Sequence, residues 1–245
     1  MKKNLVFYGH HKCGSRYFRA YLLREISKLT GAAFFEYEID DPIYTFEQPD
    51  FLDLDNVKFE RLRSERCIVG LTNASQPVVN RIFENDPQHV GLHVRRDPRQ
   101  FLVSSYWHHL AGHPVKTDLW HWPKLGEDRR VLESLNQEDG ILYEIDHIAG
   151  DILVRQFRSW VRRPNIIEFK LEDVDVSMPL LTDRLGSELG ADLSSLKPDM
   201  SRRKSNPDAL NWREMFTPRI TDAFKSRFND ILVDWGYEND DSWTA

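Results

Sequence analysis

The stretch Leu5-Val6-Phe7-Tyr8-Gly9-His10-His11-Lys12-Cys13-Gly14-Ser15-Arg16-Tyr17-Phe18-Arg19-Ala20-Tyr21-Leu22-Leu23 decides the fold. Its first four residues form a short apolar run, as a buried strand requires, and residues 17–23 return to apolar side chains at helical spacing. Two glycines and a set of polar and cationic residues lie between. The stretch therefore predicts a strand, a tight loop and a helix. In that arrangement the loop N–H groups and the start of the helix face whatever binds, and an anion such as phosphate suits both.

Which anion follows from the residues. In the loop pattern G-x-x-x-x-G-K-S/T the lysine reaches the terminal phosphates and the Ser or Thr holds magnesium. Gly9 and Gly14 have that spacing, but Ser15 stands at the lysine position and Arg16 at the metal-ligand position, while the lysine has moved inside the loop as Lys12. Such a loop suits transfer of a group whose charge side chains alone can offset. An ATP-dependent kinase would lack its usual metal anchor here.

Four segments in order resemble one family. Lys12-Cys13-Gly14-Ser15-Arg16-Tyr17 is similar to the K-x-G-T-T-W loop of sulfotransferases that use 3'-phosphoadenosine 5'-phosphosulfate (PAPS). Val90-Gly91-Leu92-His93-Val94 and the following Arg95-Arg96-Asp97-Pro98 through Tyr106 resemble the family's strand and R-N-P-x-D-x-x-x-S-x-Y segment, with Arg96 and Ser104 at its spacing. Ile166-Ile167-Glu168-Phe169-Lys170-Leu171-Glu172-Asp173-Val174 resembles the late strand and its Y-E-D-L turn, before Leu185-Gly186-Ser187-Glu188-Leu189-Gly190. Arg202-Arg203-Lys204-Ser205 and Asn211-Trp212-Arg213-Glu214-Met215-Phe216-Thr217 are similar to the closing R-K-G and W-K-x-x-F-T elements.

The resemblance implies an α/β fold: a single-domain, P-loop-like, three-layer architecture over residues 1–245 with a central parallel sheet flanked by helices. It implies an enzyme that moves a sulfuryl group from PAPS to an acceptor hydroxyl, less readily an amine, in line and without metal, releasing 3'-phosphoadenosine 5'-phosphate (PAP). Cys13, Gly14, Ser15 and Arg16 would hold the 5'-phosphate with Lys12, and Tyr17 would replace the family's Trp beside adenine. Arg96 and Ser104 would bind the 3'-phosphate, joined by Arg203 and Lys204. Lys12 would also stabilise charge on the bridging oxygen as the bond to sulfur breaks. The alternatives are a divergent P-loop kinase dependent on ATP and magnesium, and a catalytically silent protein of the same fold.

The general base is where the sequence departs from the pattern. Cytosolic members carry a His after the second strand, in K-S/T-H-L-P, but here Cys67-Ile68-Val69-Gly70-Leu71 leads into Thr72-Asn73-Ala74, and an Asn side chain accepts no proton at neutral pH. Carbohydrate-modifying members use a Glu further along, where this chain has Phe35-Glu36-Tyr37-Glu38. In an extended stretch Glu36 and Glu38 share a side. They rank first and second as base, with His10 and His11 as rivals whose ordinary pKa suits the task. A Glu-type base points to a saccharide acceptor, and Trp120-His121-Trp122-Pro123 could offer it an aromatic face.

Composition sets the outer limits. The 245 residues are 40% hydrophobic and 12% aromatic, enough for a substantial core. A formal charge of -6 and a pI near 5.9 argue against general nucleic-acid binding, so an anion site must be a local gathering of Lys and Arg. Two cysteines, Cys13 and Cys67, are too few for a disulfide framework and suggest a reducing, cytoplasmic setting. Met1-Lys2-Lys3 opens like a signal peptide, but the apolar run after it is shorter than the ~7 residues such a segment needs. No stretch approaches the ~18 apolar residues of a membrane span.

Short apolar strands are expected at 4–8, 67–71, 90–95 and 165–169, and helices at about 15–29, 75–84, 97–111, 144–162, 178–189 and 217–235. Their alternation predicts a parallel sheet with the ligand at the carboxyl ends of its strands. The acidic segment 40–55 and the segment 112–139 do not fit this rhythm, and either could form a lid.

Overall fold

The computed structural model describes residues 3–38, 45–46, 62–63, 65–117, 120–196 and 211–245. By its contacts the chain groups into two compact units. The first comprises Met1–Asp40, Pro49–Arg95 and Trp160–Lys204, and the second comprises Asp41–Gln48, Arg96–Ser159 and Ser205–Ala245.

The first unit is built on a five-stranded parallel sheet. Its strands are β1 (Leu5–Tyr8), β2 (Ala33–Glu38), β4 (Cys67–Thr72), β5 (Val90–Arg95) and β7 (Ile166–Lys170), in the order β2-β4-β1-β5-β7. All four expected strands are present, and β2 is a fifth that the strand pattern left out. Its sequence, Ala33-Phe34-Phe35-Glu36-Tyr37-Glu38, carries two glutamates because β2 lies at the sheet edge, with one neighbour only among the described strands. The chain is α/β, with helices flanking the sheet.

Strand alternation divides the core into two faces. Leu5, Phe7, Ile68, Leu92, Val94, Ile167 and Phe169 point to one side, where they pack with Phe18, Leu22 and Ile26 of the first helix and with Val174, Met178 and Leu185 of the helix Val174–Leu189. Paired residues of the other face are Val6 with Val69, and Tyr8 with His93, which in turn pairs with Glu168. This second face thus carries polar side chains in its middle.

The first helix is not uniform. It runs as Ser15–Tyr17, a π-helical turn Phe18–Leu22, and Leu23–Thr30, ending on Gly31 at φ 67°. The helix Gln76–Asn85 follows β4. The helix expected at 178–189 begins instead at Val174, because the 3-10 turn Leu171–Asp173 feeds directly into it and leaves Pro179 inside rather than at the start.

The second unit is mainly helical. Pro98–Trp107 continues into a π-helical turn His108–Gly112. Pro123–Ser134, Gln137–His147, Ala149–Ile152 with its π-helical continuation Leu153–Arg158, Trp212–Met215 and Pro218–Asp234 complete it. Phe157 stacks on Trp235 with centroids 4.4 Å apart, and Phe101 lies 4.8 Å from Phe157. The single helix expected at 144–162 is two: Ile148 leaves helical geometry at φ -131°, ψ -75°, and Gly150 then packs so tightly on the Ile145 carbonyl that a Cβ there would lie 1.9 Å from it. The two segments that broke the sequence rhythm meet each other. Thr45–Phe46 (β3) pairs antiparallel with Trp120–His121 (β6).

Candidate functional site

β1 is the middle strand, flanked in parallel by β4 and β5, and the loop 9–14 leaves its carboxyl end. This is the position at which open α/β sheets bind ligands. The loop is tied down at its first residue. Gly9 N donates to Leu71 O at 3.1 Å, and Ala74 N donates to Gly9 O at 2.8 Å. A Cβ at Gly9 would lie 2.5 Å from that Leu71 carbonyl, so the close approach of loop and β4 requires glycine.

The turn itself is tight. Cys13 N donates to His10 O at 3.2 Å, Lys12 adopts φ 55° and Gly14 adopts φ 73°. A left-handed conformation costs a non-glycine residue about 1–2 kcal/mol, so the fold holds Lys12 in an unfavourable backbone state within the loop. Gly14 O then accepts from Tyr17 N at 2.9 Å and from Phe18 N at 3.3 Å, which starts the helix. Lys12, Gly14 and Ser15 are partly open to solvent and Arg16 is exposed, whereas Cys13 is buried. Tyr17 belongs to the core, with its ring 5.2 Å from Phe18 and 5.7 Å from Tyr21. Only 5% of it is exposed, less than any other residue of the motif except Cys13.

The base candidates occupy different surroundings. Glu36 lies on β2 with both oxygens engaged: Arg19 Nη1 lies 2.5 Å from Oε1 and Arg24 Nη2 lies 3.2 Å from Oε2. Gly70, its register partner on β4, leaves room for the Arg19 stem, which would lie 3.1 Å from a Cβ there. Glu38 closes the same strand, and its side chain falls outside the described residues. His11 is half-buried in the loop, while His10 is almost completely enclosed.

Beneath His10 lies a buried polar cluster. His10 Nδ1 is 3.4 Å from His93 Nε2, and His93 Nδ1 is 3.0 Å from Glu168 Oε1. Trp160 Nε1 donates to the same Glu168 oxygen at 2.6 Å, with its ring stacked on His93 at 3.9 Å. Arg162 Nε stands 3.6 Å from Glu168 Oε2. Burial pushes the His10 pKa well below its usual value, and His93 beside it acts in the same direction. Burial lowers His93 too, against the opposing hydrogen bond and charge of Glu168. For Glu168 burial alone would raise the pKa, but the bonds from His93 and Trp160 outweigh it and hold the carboxyl below its usual range.

In the second unit, Arg96 stands just before the helix Pro98–Trp107 and is half-buried, and Ser104 lies within that helix at 6% exposure. Asp97 caps the helix by accepting from Arg99 N at 2.9 Å. Arg99 is a hub: it grips both oxygens of Asp97, bonds Glu238 at 2.5 Å, and lies over the rings of Trp212 and Trp243 at 4.0 and 4.7 Å. Trp122 is buried with its ring 5.3 Å from His109 and 5.2 Å from His113, so this member of the aromatic cluster is a packing anchor. Arg203 and Lys204 fall outside the described residues.

Comparison with known proteins gives fold-level likeness only. No protein-family model matches the chain, and no curated protein sequence matches it. Among solved structures it is similar to mouse sulfotransferase SULT7A1 complexed with PAP, at 14% identity and a TM-score of 0.49 over 97% of this chain and 88% of that one. It is also similar to a sulfotransferase from Alicyclobacillus acidocaldarius, at 16% identity and a TM-score of 0.49 over 97% of each chain. At these identities neither structure assigns a role to a residue of this chain.

Sequence reasoning missed the supports of the loop. Asn73 takes φ 50° and so aims Ala74 N at Gly9; an Asn tolerates that conformation, and Thr72-Asn73-Ala74 after an apolar run was the signal. His93 and Glu168 gave a weaker signal. Each is a polar residue between apolar neighbours in its strand, and only the register β5 to β7 brings them together.

Proposed function

We propose that the chain is a PAPS-dependent sulfotransferase. The observation that supports this reading most is the loop after the middle strand, where a tight turn with left-handed Lys12 and Gly14 places a lysine inside a phosphate-type cradle that carries Arg16 where a magnesium ligand would stand. In this reading the cradle takes a nucleotide phosphosulfate. Backbone N–H groups around Gly14, with Ser15 and Arg16, hold the 5'-phosphate, and Arg96 and Ser104 take the 3'-phosphate. Arg203 and Lys204 add to that second site in this reading, while Tyr17, expected beside the adenine, is a buried core residue and is not assigned to it.

The acceptor oxygen attacks sulfur in line, the bond from sulfur to the bridging oxygen breaks, and the acceptor's proton passes to the base. Lys12 offsets the charge that grows on the bridging oxygen, and PAP leaves. Preorganised donors of this kind each contribute roughly 10²–10³ in rate. In this reading the loop cations Lys12 and Arg16 carry the charge, and no metal is assigned to the step. Glu36 remains the first candidate base, and accepting a proton means giving up its bond to Arg19 or Arg24. Glu38, His11 and His10 follow. The acceptor is a hydroxyl compound, with a saccharide favoured by a Glu base. Among the described residues no helix is long and apolar enough to cross a membrane.

Calorimetric titration with PAP in the absence of metal, set beside ATP with magnesium, tests the nucleotide half. PAP binding that weakens in Arg96→Ala supports it, and ATP binding without PAP binding replaces it with the kinase reading. Assay of PAP release across a panel of saccharides and small hydroxyl compounds then tests turnover, and its loss in Glu36→Gln with PAP binding retained assigns the base.

A further inference from the structure

Three side chains from separate parts of the sequence meet under the loop: His10 from the loop, His93 from β5 and Glu168 from β7. His10 and His93 are almost fully enclosed, and the Glu168 side chain keeps 14% of its surface. Burying three ionisable groups in one row is costly unless each is hydrogen-bonded, and here hydrogen bonds run along the whole row. On the same face as His93, Tyr8 OH and His89 Nε2 are hydrogen-bonded at 2.7 Å.

The order of protons along the row can be read from chemistry. A carboxylate oxygen that accepts from Trp160 Nε1–H also faces His93 Nδ1, so that nitrogen carries the proton. A neutral His93 then has its lone pair on Nε2, directed at His10 Nδ1 3.4 Å away. A proton on His10 Nδ1 faces that lone pair, and the Ala74 backbone also bonds the His10 ring. The His10 carbonyl accepts from Cys13 N and so closes the turn that holds Lys12 at φ 55°. Ring orientation and loop shape are therefore linked through one residue.

We propose that His93 and Glu168 are positioning residues for the anion loop: Glu168 fixes the proton of His93 on Nδ1, His93 fixes the ring of His10, and His10 fixes the turn that presents Lys12. The proposal rests on the reading of the loop as a phosphate site. The charged and titratable groups that face the row are Glu168, Arg95 and Arg162 around His93, and the backbone of Ala74 beside His10. Neither His93 nor Glu168 is asked to touch the nucleotide. Their effect is carried through His10.

The test uses three variants of the full chain, PAP titration, and nitrogen-15 spectra of the histidine rings. His93→Phe keeps a ring beside Trp160 but removes both nitrogens. Glu168→Leu removes the acceptor, while Glu168→Gln keeps an oxygen for both N–H donors without the charge. In His93→Phe and Glu168→Leu, PAP binding is expected to weaken about tenfold, as for loss of one hydrogen bond, and the His10 nitrogen signals to change. Glu168→Gln is expected to stay within about threefold of the parent, since an amide oxygen still sets the His93 tautomer.

Parent-like PAP binding in His93→Phe and Glu168→Leu would overturn the proposal, as would unchanged His10 signals in both. Equal losses in Glu168→Gln and Glu168→Leu would also overturn it, because charge rather than proton placement would then be the cause. If the parent chain binds no PAP, the sulfotransferase reading fails. The relay is then decided by the His10 spectra alone: a change in both His93→Phe and Glu168→Leu supports it, and no change rejects it.

Discussion

Gly9→Ala is the sharpest perturbation the geometry offers. A methyl group at this position would stand 2.5 Å from Leu71 O, 2.9 Å from Phe7 Cε1 and 3.1 Å from Ser15 Cβ. The first contact is with a main-chain oxygen in β4, inside the parallel ladder, so it cannot swing aside as a side chain can. Relief means separating the loop from β4, which also breaks the Gly9 N to Leu71 O bond of 3.1 Å. Overpacking of this kind costs about 1–3 kcal/mol, and the lost hydrogen bond about 1 kcal/mol more. Gly31→Ala is the matched control. Gly31 has φ 67° but nothing within 4 Å of an added Cβ, so it bears only the backbone penalty of about 1–2 kcal/mol, partly offset by a less disordered unfolded chain. Urea unfolding followed by tryptophan fluorescence should rank Gly9→Ala below Gly31→Ala by roughly 1–3 kcal/mol. PAP binding should fall in Gly9→Ala and persist in Gly31→Ala. Equal stabilities, or a Gly9→Ala chain that binds PAP as the parent does, would refute the argument that the loop's approach to β4 demands glycine.

Three further outcomes follow from the same geometry. Lys12→Ala should keep PAP binding measurable while lowering transfer by roughly 10²–10³, and Lys12→Gly should be more stable than Lys12→Ala by about 1 kcal/mol because glycine adopts φ 55° without strain; urea midpoints and initial rates check both. Acidification should destabilise the fold in two overlapping steps. His10 and His93 have folded pKa values lowered from 6.5, so the unfolded chain takes up more protons and stability begins to fall as pH drops through 6.5. Glu168 is lowered from 4.5, so its contribution, present above that value, is lost as pH falls further; urea midpoints from pH 8 to 4 should show this slope, and His93→Phe should flatten its upper part. Arg99→Lys should cost about 2–4 kcal/mol, because a lysine cannot grip both Asp97 oxygens and lie flat over Trp212, and thermal unfolding of the variant reads that loss.

How far the sequence reached can be seen residue by residue. Leu5-Val6-Phe7-Tyr8 and Val90 to Arg95 were legible as strands because both faces of an inner parallel strand are buried and the runs are mostly apolar. β2 was not, because an edge strand carries Glu36 and Glu38 and breaks that signature. The helix Pro123–Ser134 and the start of Gln137–His147 were missed, although Pro123 opens the one and Asn136 accepts from Asp139 N at the start of the other, because both lay in a segment read as irregular. Glu36 was singled out by position along the chain, while its ion pairs with Arg19 and Arg24 came from the geometry of a helix passing over Gly70.

The order of residues alone determined the β1–loop–helix unit, since strand, turn and helix signals there are local and span fewer than two dozen positions. It also determined that Lys12 sits within the loop and that no lysine follows Gly14 directly. Only the tertiary structure decided that β1 is central, that Asn73 and Ala74 hold Gly9 in place, and that His10, His93 and Glu168 form one row. The physical reason is distance along the chain. His10 and His93 are 83 positions apart and His93 and Glu168 are 75, and contacts at that separation are set by strand register, which no local pattern of side chains specifies.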